Sequence, residues 1–282
     1  MKIMTLGNGF VANHLPYPKI TERVFNDEKS INQLLDKYQP EVLVNCIGRT
    51  GSPNVDWCES NKTETYIANT IIPLMLAHQC EKKNIRLVHI GSGCIFFGTS
   101  PNLNLGGEDL GWNEENFANP KSYYSSTKYS CDLLLNNLPH VTILRIRMPF
   151  SSQNSSRNLI TKLIGYQQVI NEPNSMTFME DLVRAVDWAI QKDLSGIYHV
   201  TNPGTFSAAQ IMREYKKYVS EHSFKAIDED QLDKLTLAKR SNCILDCRKI
   251  LNTGFKMMPI KQALQICMFN YIQNSRGTMN DE

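Results

Sequence analysis

The chain has 282 residues, 41% hydrophobic and 21% charged, with a formal net charge of +2. Near-neutrality argues against a nucleic-acid surface, and no apolar run reaches the roughly 18 residues a membrane span needs. The eight cysteines are scattered without a C-x-x-C pair, and Cys243 and Cys247 lack neighbouring histidines. No metal site is expected, and reduced thiols in a cytoplasmic setting are.

Lys2–Leu6 reads as a buried strand running into Gly7-Asn8-Gly9-Phe10-Val11-Ala12, a G-x-G-x-x-A pattern with no signal peptide ahead of it. Gly7 permits the turn, Gly9 lets backbone approach a pyrophosphate, and the helix start offers free N–H groups; Asn8, Phe10 and Val11 complete the loop. Pro16 and Pro18 keep that helix short. A strand over Ile20–Phe25 and a helix over Ser30–Tyr38 follow. A third strand, Val42–Ile47, places Cys46, Gly48 and Arg49 as dinucleotide contacts. Glu22 favours ribose hydroxyls, whereas Arg23 or Arg49 favours a 2′-phosphate, so NADPH and NADH both stay open.

The helix Asn61–Lys83 carries Asn69, which either shapes a proton path and the cofactor site or bonds backbone. The strand Arg86–Ile90 ends in Gly91-Ser92-Gly93-Cys94. The helix Ser122–Asn137 contains Tyr124-Ser125-Ser126-Thr127-Lys128, and a spacing of four puts Tyr124 and Lys128 on one face. A lysine ammonium beside the phenol is expected to lower the tyrosine from about 10 toward working pH. Ser92 would hold the substrate oxygen. These three side chains suit a carbonyl–alcohol redox centre. Cys94, two residues after Ser92, points the same way if the chain is extended there; otherwise it is a small buried hydrophobe.

Strands at Val141–Ile146 and Ile197–Val200 and helices at Asn158–Tyr166, Met179–Lys192, Ser207–Tyr218 and Pro259–Gln273 complete the pattern, with a frayed polar tail at Asn274–Glu282. The alternation predicts an α/β fold: a doubly wound parallel sheet with ligands at the carboxyl ends of the strands. Residues 1–148, with 178–202 returning to the sheet, form a Rossmann domain. Residues 149–177 and 203–282 form a smaller substrate-binding lobe.

The chain resembles the extended short-chain dehydrogenase/reductases of the dTDP-4-dehydrorhamnose reductase kind. More narrowly, it is similar to the bifunctional 3,5-epimerase/4-reductases that complete UDP-rhamnose synthesis. The resemblance rests on Gly48-Arg-Thr-Gly-Ser-Pro-Asn-Val-Asp-Trp-Cys-Glu59, Gly93-Cys-Ile-Phe96, Tyr123-Tyr-Ser-Ser-Thr-Lys128, Leu144-Arg-Ile-Arg-Met-Pro149, Arg157-Asn-Leu-Ile-Thr-Lys162, Pro173-Asn-Ser-Met-Thr177, Thr201-Asn-Pro-Gly204 and Arg240-Ser-Asn242. The glycine loop departs from the family by one residue. The resemblance implies NADPH, a nucleotide-sugar substrate and pairing into a homodimer through the helices Asn61–Lys83 and Ser122–Asn137. It gives Tyr124 the proton for C4 oxygen, Lys128 the nicotinamide ribose, and Cys94 a role in epimerisation, as a cysteine has in the related GDP-fucose synthases. A histidine of that branch falls nearest Asn158, with Lys162 one turn onward as the second proton-transfer group. Asn54 and Trp57, beside Asp56, line the sugar pocket or close a loop. Arg240 forks onto the diphosphate or forms an ion pair. A reductase alone and a non-catalytic nucleotide-binding subunit are the alternatives.

Overall fold

The computed structural model describes residues 1–277. Six strands form one sheet in the order β2-β1-β3-β4-β5-β7, and every pair in it is parallel. They are β1 (Ile3–Leu6), β2 (Lys19–Ile20), β3 (Val42–Asn45), β4 (Arg86–Ser92), β5 (Val141–Ile146) and β7 (Gly196–His199). Side chains alternate between the faces, so each strand feeds two cores. Leu43, Leu87, Val141 and Ile143 pack under α2 (Glu28–Tyr38), α5 (Ile72–Lys82) and α6 (Tyr123–Leu135). Val42, Val44, Val88 and Leu144 pack under α8 (Met179–Gln191). Helices thus cover both faces, as the doubly wound expectation requires.

Local chemistry sets the helix starts. The Asp27 carboxylate accepts from Ser30 N at 2.7 Å to open α2, and the Ser122 hydroxyl accepts from Ser125 N at 3.2 Å to open α6. Before β3, the loop Gly7–Gly9 leads into the short α1 (Phe10–His14).

Several expectations need correction. The second strand is two residues long rather than six. Its last pair is Ile20 with Leu6, and β1 stops there, so a longer β2 has no neighbour to bond. The expected helix Asn61–Lys83 is instead α4 (Lys62–Tyr66), a π-helical turn at Ile67–Ile71 and α5, preceded by α3 (Asp56–Ser60). Pro73, at the start of α5, brings no N–H, and the widened turn before it accommodates that loss. The expected tail begins as helix, because α12 (Ile260–Gly277) continues through Asn274; residues 278–282 lie outside the described residues.

Beyond the sheet, β6 (Gln168–Ile170) and β8 (Lys225–Ile227) form a separate parallel pair. With α7 (Leu159–Ile164), α9 (Ala208–Lys216) and α12 they enclose a third core that includes Phe150, Ile160, Met176, Ile211 and Leu264. The short α10 (Glu229–Asp233) packs Leu232 against this core, whereas α11 (Arg248–Asn252) packs Ile250 and Leu251 into the sheet core beside α8. A smaller cluster of Ile95, Phe96, Trp112, Cys243 and Leu245 ties the segment after β4 to the segment 243–245.

Candidate active site

The parallel register brings the carboxyl ends of β1, β3, β4 and β5 to one edge, where Gly7, Cys46, Gly93 and Arg147 are the next residues. Gly7 has φ +120°, which an L side chain rarely adopts, so the turn off β1 depends on glycine. Gly9 is the N-cap of α1 and supplies no side-chain bond to its first N–H groups. Asn8 and Gly9 are exposed, while Phe10 and Val11 start the helix. The loop is therefore open where a pyrophosphate would lie, and the residues present fit a dinucleotide. The Cys46 thiol is pushed up to about 12 by burial, which leaves it a packing group. Gly48 lies beside the Asn69 amide.

Asn69 sits in the π-helical turn, fully buried. Its Oδ1 accepts from Arg49 N at 2.7 Å; its Nδ2 donates to Arg49 O at 3.0 Å and to Thr127 Oγ1 at 3.2 Å. It clamps the β3 loop to α6, and the structure shows the backbone-bonding option. The Arg49 guanidinium stacks on Trp57, 5.1 Å from the ring centroid.

Tyr124 and Lys128 share a face of α6, as the spacing predicts. Their electrostatics differ from the expectation. Burial and the neighbouring Cys94 push the Tyr124 phenol well above its usual range, against an opposing hydrogen bond with Ser92. The Lys128 amine is turned to the Ile90 carbonyl at 3.3 Å and to His89 Nε2 at 3.2 Å. His89 is fully buried, and burial plus the Lys128 charge hold it well below the ordinary histidine range. Asn45 bonds its other nitrogen at 3.0 Å. Sequence reasoning missed this Asn45–His89–Lys128 chain; Asn45 and His89 are level in the β3–β4 register, and only strand pairing reveals that.

Cys94 is in a turn rather than in extended chain. Gly93 lets the chain pack closely there, because the Leu245 side chain occupies the place its Cβ would take. Cys94 N then donates to Ser92 Oγ at 3.2 Å, and Cys94 O accepts from Ser125 Oγ at 2.6 Å. The two side chains are thus neighbours through a turn, not through strand alternation. Arg147 Nη1 donates to Cys94 Sγ at 3.4 Å. Arg147 was missed in sequence reasoning; a second arginine in an apolar strand run was its signal.

The remaining candidates are spread over the second lobe and the α3 loop. The Asn158 amide is fully committed: Oδ1 accepts from Ser151 N and Ile160 N at 3.3 Å each, and Nδ2 donates to Ser151 O at 2.8 Å and Gln153 O at 2.7 Å. It caps α7. Lys162 is half-buried on α7, and burial with the Arg157 charge lowers its amine below the ordinary lysine value. Arg157 itself reaches across to Thr50 Oγ1 at 3.2 Å and Gly51 O at 2.8 Å. Asn54 Oδ1 accepts from Asp56 N at 2.8 Å and so helps start α3. Arg240 forks onto Asp56 at 2.8 and 3.0 Å, taking the ion-pair option in this state. Among the described residues, no cluster of three or more His, Cys, Asp or Glu could hold a metal, and no helix is long and apolar enough to cross a membrane.

Comparison with known proteins follows the same lines. The RmlD substrate binding domain model matches residues 14–272. The bifunctional dTDP-4-dehydrorhamnose 3,5-epimerase/dTDP-4-dehydrorhamnose reductase of Arabidopsis thaliana is 37% identical over 242 residues, 84% of this chain and 79% of that protein. A trifunctional UDP-glucose 4,6-dehydratase/UDP-4-keto-6-deoxy-D-glucose 3,5-epimerase/UDP-4-keto-L-rhamnose-reductase of the same plant is 36% identical over 241 residues, and the match covers 36% of its length. The crystal structure of the L780 UDP-rhamnose synthase from Acanthamoeba polyphaga mimivirus superposes with a TM-score of 0.88 at 26% identity, covering 96% of this chain and 99% of that one. A dTDP-4-dehydrorhamnose reductase from Clostridium acetobutylicum shares the fold, with a TM-score of 0.80 at 21% identity over 95% of this chain and 98% of that one. The chain belongs to the RmlD substrate-binding-domain family, whose architecture its sheet and second lobe reproduce.

Proposed function

We propose that this protein is an NADPH-dependent nucleotide-sugar reductase of rhamnose synthesis, and more narrowly a bifunctional enzyme. It would epimerise UDP-4-keto-6-deoxy-D-glucose at C3 and C5 and reduce C4 to give UDP-L-rhamnose. The observation that carries this reading is the convergence of Ser92, Cys94 and Tyr124 at one strand end. The Cys94 thiol there is close enough to the phenol to help raise it. The relatives named above support the reaction class, and the Asn54–Glu59 and Cys94 segments support the bifunctional branch.

The side chains suit the two stages. The C4 ketone acidifies the protons at C3 and C5, and epimerisation needs proton transfer on both faces of the ring. Cys94 serves one face and Lys162 the other, the lowered amine being able to exchange its proton more readily than an ordinary lysine. Bound NADPH supplies the hydride for C4. Ser92 orients the carbonyl and Tyr124 protonates its oxygen. A raised phenol suits that direction, since the donor keeps its proton at neutral pH. Lys128 would turn from His89 and the Ile90 carbonyl toward the ribose. Gly7, Asn8, Gly9, Phe10 and Val11 would hold the pyrophosphate.

NADPH is preferred to NADH on the state of the β2 end. The Glu22 carboxylate is taken up by Lys37 and Tyr38 and is held down to about 2. The exposed Arg23 guanidinium stacks on Phe25, 5.3 Å from the ring centroid, where it can meet a 2′-phosphate. Asn54, Trp57 and a released Arg240 would take the sugar nucleotide. Residues 1–148 with 178–202 would carry the cofactor, and 149–177 with 203–282 the sugar. Eight free thiols suit the cytoplasm. Leu133 and Leu134, exposed on α6, suit a homodimer.

The test is direct. Incubation with UDP-4-keto-6-deoxy-D-glucose and NADPH is expected to consume NADPH and yield UDP-L-rhamnose by NMR. A product retaining the D-gluco configuration at C3 and C5 would leave only a reductase, and no NADPH consumption would remove both activities.

A further inference from the structure

Two arginines stand two residues apart at the end of β5, and both are buried, at 2% and 1% exposure. Arg145 has a counter-charge: its Nε donates to the buried Asp132 carboxylate at 2.7 Å. Arg147 has none, since no carboxylate pairs with it among the described residues. Its fork is fixed by neutral acceptors: Ser241 Oγ at 2.7 Å, Ser241 O at 2.5 Å and Asn174 Oδ1. Its remaining contact is Cys94 Sγ at 3.4 Å, and its Nε has no partner. A buried cation without an anion is costly unless some charge comes to it.

We infer that Arg147 is the positioning residue for Cys94, holding its sulfur in place and balancing the negative charge that sulfur carries during epimerisation. The inference rests on the bifunctional reading above. In the proton transfer, one S–H bond and one sugar C–H bond exchange. The electron pair released from carbon is held as the enolate of the C4 ketone. Sulfur is negative before the transfer if it accepts the proton and after it if it gives one, so the guanidinium serves either order. Such charge-assisted hydrogen bonds are about twice as strong as neutral ones. The anchors explain why the charge is well placed: Ser241 and Asn174 come from the second lobe, so Arg147 reaches Cys94 only when that lobe is docked.

The test uses the full chain as wild type, R147Q and R147K. Each is incubated in D2O with UDP-4-keto-6-deoxy-D-glucose, without reductant, and deuterium entry at C3 and C5 is followed by NMR. Separately, iodoacetamide labelling of the Cys94 peptide is timed by mass spectrometry at neutral pH. R147Q, which keeps polarity but not charge, is expected to lose about 30-fold in exchange kcat with KM within about threefold, and to label about tenfold more slowly, because the thiolate is the nucleophile. R147K is expected to keep labelling within about threefold of wild type while exchange drops at least about fivefold, since charge remains but the fork does not. Labelling that is unchanged or faster in R147Q, or a loss carried by KM, would overturn the inference. If R147Q does not fold, equal losses of labelling and exchange in R147K overturn it. Should wild type itself exchange no deuterium, the epimerase reading fails, and the labelling rates still judge the Arg147–Cys94 pairing alone.

Discussion

The dinucleotide side and the sugar side of the cleft are built by different means. The first is made of short contiguous runs: the loop Gly7–Val11, the β3 end and the pair Tyr124–Lys128, with Asn69 tying the β3 end to α6. The second is assembled from distant segments: Cys94 after β4, Arg147 after β5, and Asn174 and Ser241 from two separate stretches of the second lobe, joined by hydrogen bonds to one guanidinium. A site made from contiguous runs survives small shifts of the lobes. One made from distant segments exists only in the docked state. Reduction and epimerisation should therefore fail separately when the two sides are disturbed.

The sharpest break is Tyr124→Phe. It removes the proton donor on the dinucleotide side, and NADPH oxidation is expected to fall by about a thousandfold while NADPH binding, read by fluorescence titration, persists. Next is Cys94→Ala on the sugar side. Deuterium entry at C3 and C5 should fall by about a hundredfold, with reduction of an already epimerised 4-keto sugar within about fivefold of wild type. Parallel losses in the two assays would mean that the sides are not separable.

A pH series sharpens the contrast. The Lys162 amine lies below its ordinary value, so the ammonium is lost as pH rises through a point under that of a free lysine. Exchange that uses this ammonium should decline as pH rises through the interval just below a free lysine's titration, and Lys162→Met should remove that decline along with about 30-fold of the rate. Tyr124 lies above its ordinary value, so reduction should stay level over the same interval. The smallest effect is expected from Asp56→Asn, which frees Arg240. The pair is partly exposed, so a loss of at most about 1 kcal/mol of stability is expected by thermal melting, with KM for the nucleotide sugar unchanged or lower.

How much was legible follows from the same division. The glycine loop, the strand–helix alternation and the Tyr124–Lys128 pair depend on local spacing, and the structure keeps them. Cys94 was legible as a candidate but not its turn, nor the packing of Leu245, far away in the chain, against the neighbouring Gly93. Arg147 and His89 were hidden for a related reason: their roles depend on which residues lie level in neighbouring strands and on a lobe docking from elsewhere. The shortness of β2 was likewise a matter of where β1 ends. Asn158 shows the opposite error. Its position matched a catalytic residue of a related branch, yet its amide has no bond left for a ligand.

One measurement bears most directly on a single cleft serving both stages: a crystal structure of the protein with NADP⁺ and UDP-L-rhamnose. The account predicts Cys94 Sγ within about 4 Å of C3 or C5 and the Tyr124 hydroxyl in hydrogen-bond reach of the C4 oxygen, with the nicotinamide over the opposite side of C4. A hexose lying out of reach of Cys94, or a nicotinamide seated away from Tyr124, would contradict it.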